Sequence, residues 1–273
     1  MKIIERYCHG KGNQEANEDF LITTDHFVLV VDGATDKTGY VVEGMKGGRF
    51  VAKAVAELHQ SEELSAEIDM AGWIEAVTKK VDAELNRVSW PDDLQRPAAS
   101  VLTYSVQRRE MFRVGDCHYR IDGRDFPGGK EIDDYHGNTR AGKLKACLLA
   151  GASVSDLLKN DPGRDLILQS LANQYKFANA AKGQFAYPVV NGEEVPAHLM
   201  EKPVPVPPGS FVVMTSDGFD FPKATVADTR AAQEKSYIID PLRIGLDGAR
   251  ASTKGLVAGM SQHDDQTFVS FRT

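Results

Sequence analysis

Carboxylates recur in this chain where apolar runs end. Phe27-Val28-Leu29-Val30-Val31 runs into Asp32-Gly33, and Phe211-Val212-Val213-Met214-Thr215-Ser216 runs into Asp217-Gly218. Met111-Phe112-Arg113-Val114 leads to Gly115-Asp116. Asn17-Glu18-Asp19 precedes Phe20-Leu21-Ile22, and His263-Asp264-Asp265-Gln266-Thr267 precedes Phe268-Val269-Ser270-Phe271. A carboxylate at the tip of a buried strand faces low-dielectric surroundings on one side and needs a partner. For any single case the plain reading is a turn, because Asp-Gly commonly punctuates a strand. Recurrence along the whole chain favours convergence instead, in which the strand ends form an oxygen cage for hard divalent cations such as Mg²⁺ or Mn²⁺. No His/Cys cluster that would favour zinc is present.

Those aspartates must be positioned by strands. Unbroken β-branched runs bounded by glycine read as strands covered on both faces. Residues 2–7 read as a strand, 10–17 as a polar loop, and 20–23 with 27–31 as a hairpin turned by Thr24-Asp25-His26. Phe50, Val51, Ala54, Val55 and Leu58 form one helical stripe over 47–58. Ile68, Trp73, Ile74, Val77, Val81 and Leu85 form another over 65–88, with the tryptophan read as core. Residues 100–108 and 111–114 are expected to pair across Arg108-Arg109-Glu110. The stretch 126–136 lacks pattern and is expected to be a mobile segment beside the site. Helices are expected over 142–151, over 153–158 behind a serine cap, and over 164–175 after Asp161-Pro162-Gly163. Residues 187–192 read as a strand and tight turn. The four prolines of 203–209 read as an extended edge, and 224–235 and 241–259 as the last two helices. The class implied is α+β.

The 273 residues, 42% of them hydrophobic, are enough for one substantial core, and no Pro/Ser linker divides the chain, so one domain over 1–273 is expected. Apolar runs are strand-length, and the opening Met1-Lys2-Ile3-Ile4-Glu5-Arg6 does not read as a signal peptide, so no membrane partner is expected. Cys8, Cys117 and Cys147 are odd in number and lack Cys-x-x-Cys spacing, which fits reduced thiols in a cytoplasm. A formal net charge of −7 without a basic tract argues against nucleic acid as a partner.

Taken in order, Asn17-Glu18-Asp19, Asp32-Gly33, Ala98-Ala99-Ser100-Val101-Leu102-Thr103, Gly115-Asp116, Ser216-Asp217-Gly218 and Asp264-Asp265 before a strand resemble the motifs of metal-dependent protein phosphatases of type 2C, the PPM family, in its bacterial-type single-domain form. The match runs from about Tyr7 to the end. The resemblance implies two packed antiparallel sheets flanked by helix pairs, a four-layer α-β-β-α sandwich with the aspartates on loops at one edge. It implies hydrolysis of phosphoserine and phosphothreonine monoesters on proteins, by attack of a water held between two Mg²⁺ or Mn²⁺ ions. On that reading Asp32 bridges both ions, the Gly33 carbonyl binds one, and Asp217 and Asp265 complete the other. Glu18 and Asp19 act through bound waters, and Asp116, helped by Asp217, holds a weaker third ion. Asp264 is the alternative to Asp265; the Gln266-Thr267 that follows favours Asp265. For Asp116 a simple turn weighs equally. The expected partner is a phosphorylated protein, met by a monomer.

The chain departs from the family pattern at the place of the phosphate-gripping arginine, which is Gln14, and at the place of the acid histidine, which is Ala34. Lys11 and Arg6 are the candidate phosphate-binding substitutes, and His118 and His263 the candidate acids. The region of 126–136 corresponds to a flap that contributes to substrate choice. Two other functions fit the same motifs: a catalytically silent module that binds a partner, and a phosphatase of a small-molecule phosphate ester. Because an alkoxide leaving group needs protonation more than a phenolate does, reduced efficiency on alkyl phosphates is expected.

Overall fold

A computed structural model describes residues 1–12, 14–35, 38–256, 260 and 262–273. The chain begins with β1 (Lys2–His9), β2 (Phe20–Thr23), β3 (Phe27–Gly33), a short ribbon of β4 (Val41–Val42) and β5 (Met45–Lys46), and helices α1 (Gly47–Gln60) and α2 (Met70–Arg87). Four strands follow: β6 (Ala99–Ser105), β7 (Glu110–Val114), β8 (His118–Ile121) and β9 (Arg124–Phe126). After them come α3 (Glu131–Leu149), α4 (Val154–Lys159), α5 (Pro162–Ala172), β10 (Val204–Pro205), β11 (Phe211–Thr215), α6 (Val226–Ile239) and β12 (Gln266–Arg272).

Two five-stranded antiparallel sheets result, ordered β1-β12-β11-β8-β9 and β10-β7-β6-β3-β2. Strand side chains alternate between faces, and here both faces find cover. In β3, Phe27, Leu29 and Val31 pack with α1 and α2, whose buried stripe includes Val51, Val55, Trp73 and Val77. Val28 and Val30 point the other way, against Tyr119, Val212, Met214, Val269 and Phe271 of the facing sheet. That double cover explains why β3 is apolar at consecutive positions although its sheet is antiparallel. On the outer face of the other sheet, Val213 and Phe268 pack with Phe219 and with Val226 of α6. The α+β class and the pair of stacked antiparallel sheets agree with the sequence reading.

Several expected elements differ. Helix α2 starts at Met70, later than expected, because the Asp69 side chain caps it by accepting from the Gly72 N–H at 2.8 Å. Residues 131–136, expected to be mobile, open α3. Its buried positions, Ile132, His136, Gly137, Arg140, Ala141 and Leu144, do follow helical spacing, but two are polar, which hides the stripe from an apolar count. Arg140 is fully buried and satisfied: Nε donates to Asp161 at 2.7 Å, and its terminal nitrogens donate to the carbonyls of Ser252 and Leu242, each at 2.9 Å. Residues 187–192 do not form a strand. Val190 makes a single antiparallel bridge to Ala99 of β6, while the Asn179 side chain takes both backbone groups of Val189, each at 3.0 Å. The helix expected over 241–259 is absent from 241–256, where Arg243, Gly245 and Gly248 adopt φ of 53°, 82° and 86°, incompatible with a right-handed helix; residues 257–259 lie outside the described residues. Among the described residues no helix is long and apolar enough to cross a membrane.

One buried polar pair ties α1 to α2. His59 Nδ1 bonds the Val55 carbonyl at 2.8 Å, and its Nε2 accepts from the Trp73 indole at 2.9 Å. This arrangement requires the neutral ring, and burial lowers its pKa from the ordinary 6.5 to about 4. The unfolded chain therefore takes up a proton at higher pH than the folded one. The stabilisation is complete above the unfolded pKa and is lost as pH falls toward the folded one. Between pH 7 and pH 5 the wild type should lose about 2 kcal/mol more stability than His59→Gln, as read by urea unfolding at the two pH values.

Candidate active site

The registers of the two sheets bring the aspartates to one end of the sandwich. In one sheet Asp32 lies opposite Ser100, whose hydroxyl donates to Asp116. In the other, Thr215 lies opposite both His118 and Phe268, so Asp217, Asp116 and the Asp264-Asp265 pair leave neighbouring strands together. A bond between the sheets closes the arrangement: the Asp217 N–H donates to Asp32 Oδ2 at 3.3 Å. A cavity of about 590 Å³ is lined by Asp32, Gly33, Asp116, Asp217 and Asp264, with Lys130, Arg164 and Lys254 among the cationic residues of its wall.

The glycines of the two Asp-Gly pairs are not there to make a turn, since neither has a left-handed φ. A Cβ on Gly33 would stand 2.7 Å from the Glu18 carbonyl oxygen, and one on Gly218 would stand 1.9 Å from the Asp265 carbonyl oxygen. Close backbone approach demands glycine at both places.

The carboxylates divide into two groups. Asp116 and Asp264 have ammonium partners. Lys130 Nζ lies 2.7 Å from Asp116, and both side chains are largely buried. Burial would raise the Asp116 carboxyl, but Lys130 and the Ser100 hydroxyl outweigh it and hold the group below its ordinary value. Asp264 accepts from Lys11 and from Lys254, each at 2.8 Å, and against the effect of burial these hold it well below the carboxylate range. Asp32 and Asp217 form no salt bridge with any described residue. The surrounding protein strips much of their hydration although the cavity leaves Asp217 exposed, and this, together with repulsion from neighbouring carboxylates, raises both well above the ordinary value. Asp19, buried and held by the Thr267 hydroxyl at 2.9 Å, is raised in the same way, by burial first. Glu18 is raised by burial against the pull of Lys11, and its Oε1 has no hydrogen-bond partner among the described residues.

This donor set fits a divalent cation at Asp32 and Asp217. Their oxygens lack counter-charge, repel one another and face a polar cavity, with the Glu18 carboxylate buried nearby. Among the described residues no three His, Cys, Asp or Glu side chains converge on a single coordination point. An ion there would complete its shell with backbone carbonyl and water, as Mg²⁺ commonly does. A third ion at Asp116 does not fit, because Lys130 already neutralises that carboxylate. Asp265 does not line the cavity. Its oxygens accept from the backbone N–H groups of Lys11 at 2.7 Å and Glu18 at 3.0 Å.

The substitutes proposed for the missing arginine fare differently. Arg6 bonds the Thr23 hydroxyl and, like Gln14, lies in a separate pocket away from Asp32. The Lys11 ammonium is committed to Asp264 and to the Thr35 hydroxyl at 3.2 Å, which makes it a charge-balancing group. Lys130, Arg164 and Lys254, with Arg243 and Arg250, are cationic residues of the cavity wall, and none was singled out from sequence. Their signal is weak, because they come from α3, α5 and the 241–256 segment, none of which carries a family motif. Of the candidate acids, His263 bonds Tyr237 Oη at 2.8 Å and is pushed down to about 3 by burial and Arg243. His118 is lowered by burial, against the pull of Asp125.

No protein-family model and no curated protein sequence matches the chain. Among solved structures, the chain is similar to the catalytic domain of the serine/threonine protein phosphatase PstP in complex with manganese, at 14% identity and a TM-score of 0.49, covering 97% of this chain and 95% of that one. It is similar to PppA, a regulatory component of T6SS in Pseudomonas aeruginosa, at 12% identity and a TM-score of 0.48, covering 98% and 96%. RsbX in complex with magnesium is similar at 12% identity and a TM-score of 0.44, covering 98% and 97%. Likenesses this distant carry no argument about the site, which rests on its own residues.

Because Asp265 holds two backbone N–H groups, Asp265→Ala leaves them unpaired and should lower the unfolding free energy by about 2–5 kcal/mol in urea titration.

Proposed function

We propose that the protein is a metal-dependent phosphatase of phosphoserine and phosphothreonine on proteins, built as a single type 2C phosphatase-like domain over residues 1–273. The observation that carries this reading is the Asp32–Asp217 pair: two carboxylates from different sheets, joined by a cross-sheet hydrogen bond, raised first by desolvation and then by neighbouring carboxylates, and without a salt bridge to any described residue. Order of motifs along the chain supports it independently. Asp32, the Gly33 carbonyl and Asp217 would hold Mg²⁺ or Mn²⁺, with Glu18 and Asp19 beside them to orient water. Such ions lower the pKa of bound water and screen phosphate charge during in-line attack.

The remaining roles belong to the chain itself. Arg164 lines the cavity and donates to the Thr253 carbonyl at 2.7 Å while forming no salt bridge among the described residues, so its guanidinium suits a phosphate oxygen. Lys130 neutralises Asp116 and thereby limits repulsion of an incoming phosphate. No acid histidine serves the cavity where one is expected, since Ala34 lines that place and burial lowers both His118 and His263. Leaving groups that need no proton are therefore favoured. The three cysteines are all free, which supports a reducing cytoplasm, and we take the enzyme to act there as a monomer.

Hydrolysis of p-nitrophenyl phosphate should require Mn²⁺ and be abolished by Asp32→Ala and by Asp217→Ala; metal-independent turnover, or turnover in both variants, would overturn the reading. The ratio of aryl to phosphoserine turnover should fall in Ala34→His, which restores an acid at the cavity. Calorimetric titration with Mn²⁺ should give the same number of bound ions for Asp116→Asn as for the wild type, because Lys130 already occupies that carboxylate.

A further inference from the structure

One ammonium stands among three carboxylates at the edge of the aspartate cavity. Lys11 Nζ donates to Asp264 Oδ1 at 2.8 Å and to the Thr35 hydroxyl at 3.2 Å. It also lies 3.7 Å from Asp265 Oδ2 and 3.8 Å from Glu18 Oε2. The Lys11 backbone N–H donates to the other Asp265 oxygen at 2.7 Å, so the residue is fixed at both ends. Burial pulls the Lys11 pKa down, but Asp264, Asp265 and Glu18 outweigh it and raise the group above its ordinary value, so the ammonium is charged at neutral pH.

This charge borders the carboxylates assigned to a divalent ion. Two of the Lys11 partners, Asp264 and Thr35, line the cavity together with Asp32 and Asp217. A third, Glu18, accepts through its carbonyl from the Gly33 N–H at 3.2 Å, one residue beyond Asp32. Lys254 takes the second oxygen of Asp264 at 2.8 Å, so ammonium groups engage both oxygens of that cavity carboxylate. Two effects of the Lys11 charge then have the same sign. It repels a divalent ion directly, and more strongly where hydration is reduced than in bulk water. It also neutralises part of the field of Glu18, Asp264 and Asp265 that would otherwise attract the ion.

We propose that Lys11 is a tethered competitor of the divalent ion: its ammonium holds the Glu18, Asp264 and Asp265 carboxylates and keeps metal binding weak enough that loading of the site follows the surrounding concentration of Mg²⁺ or Mn²⁺. Lys11 is then a positioning residue that acts through these carboxylates, and not a group that grips phosphate. The proposal rests on the reading of Asp32 and Asp217 as metal-binding, but metal binding can be measured without turnover.

The test is calorimetric titration of the full chain with Mn²⁺. Lys11→Met removes the charge and keeps most of the stem, Lys11→Gln removes the charge and keeps an N–H for Asp264, and Lys11→Arg keeps the charge. Both neutral variants should bind Mn²⁺ about tenfold or more tightly than the wild type at low salt. The gain should shrink as salt is raised. Lys11→Arg should bind as the wild type does. Lys79→Met removes an exposed lysine paired with Glu75 on α2 and should leave the affinity unchanged, which separates a local effect from net charge. Circular dichroism reports whether each variant folds, and either neutral variant carries the test if the other does not. Unchanged or weaker Mn²⁺ binding in a folded neutral variant, equal tightening in Lys11→Arg or Lys79→Met, or no Mn²⁺ binding by any form would overturn the proposal. If Mn²⁺ binds and the neutral variants tighten it, yet no phosphate ester is turned over, the role of Lys11 stands and the phosphatase reading falls.

Discussion

Like-charged carboxylates gathered at one end of a β-sandwich repel one another, and the rest of the site is arranged around that repulsion. The two sheets deliver Asp32 and Asp217 to a common end, and the Asp217 N–H to Asp32 bond fixes their relation. No described residue forms a salt bridge with these two groups. Elsewhere the chain supplies its own counter-charge, with Lys130 on Asp116 and Lys11 with Lys254 on Asp264. The division is informative: some carboxylates find counter-charge within the chain, and Asp32 and Asp217 do not. Desolvation strengthens both halves of this logic, because charges stripped of water interact more strongly and are more costly left alone.

The same sandwich explains how such a site is tolerated. Strand β3 carries Asp32 at the end of five apolar residues that are buried on both faces, so its tip is anchored by packing on either side. Thr267 anchors the far strand by donating to Asp19, and the Asp265 carboxylate gathers the Lys11 and Glu18 backbone. These contacts hold the acidic end in place without relying on the carboxylates that face the cavity. Arg140 does comparable work at the cavity's other wall. From inside α3 it bonds the α5 cap residue Asp161 and the carbonyls of Leu242 and Ser252, setting the position of the segment that carries Lys254.

Much of this was legible in the sequence where side-chain type and local period agree. Strands β1, β2, β3, β7 and β11, helix α1 and the α2 stripe followed from apolar runs and spacing, and the strand-tip aspartates followed from their recurrence. Illegible stretches were those in which distant partners override local preference. Helix α3 hides its stripe behind buried His136 and Arg140, whose partners are tens of residues away. Residues 187–192 keep a single bridge to β6, at Val190, and give the Val189 backbone to the Asn179 side chain. Residues 241–256 contain three left-handed positions that no apolar count reveals.

At the site itself, composition and order determined that carboxylates would meet and that glycine would accompany them, because an oxygen cage and a close backbone approach each demand specific residue types. What only the tertiary structure decided was which carboxylates remain available. Asp264 and Asp265 are adjacent and chemically identical, yet one faces the cavity and the other accepts two backbone N–H groups. Lys11, Lys130 and Lys254 are ordinary lysines in sequence, and their roles arise from the three-dimensional placement of opposite charges. Pairing is a property of distance between residues far apart in the chain, and distance is what a sequence does not contain.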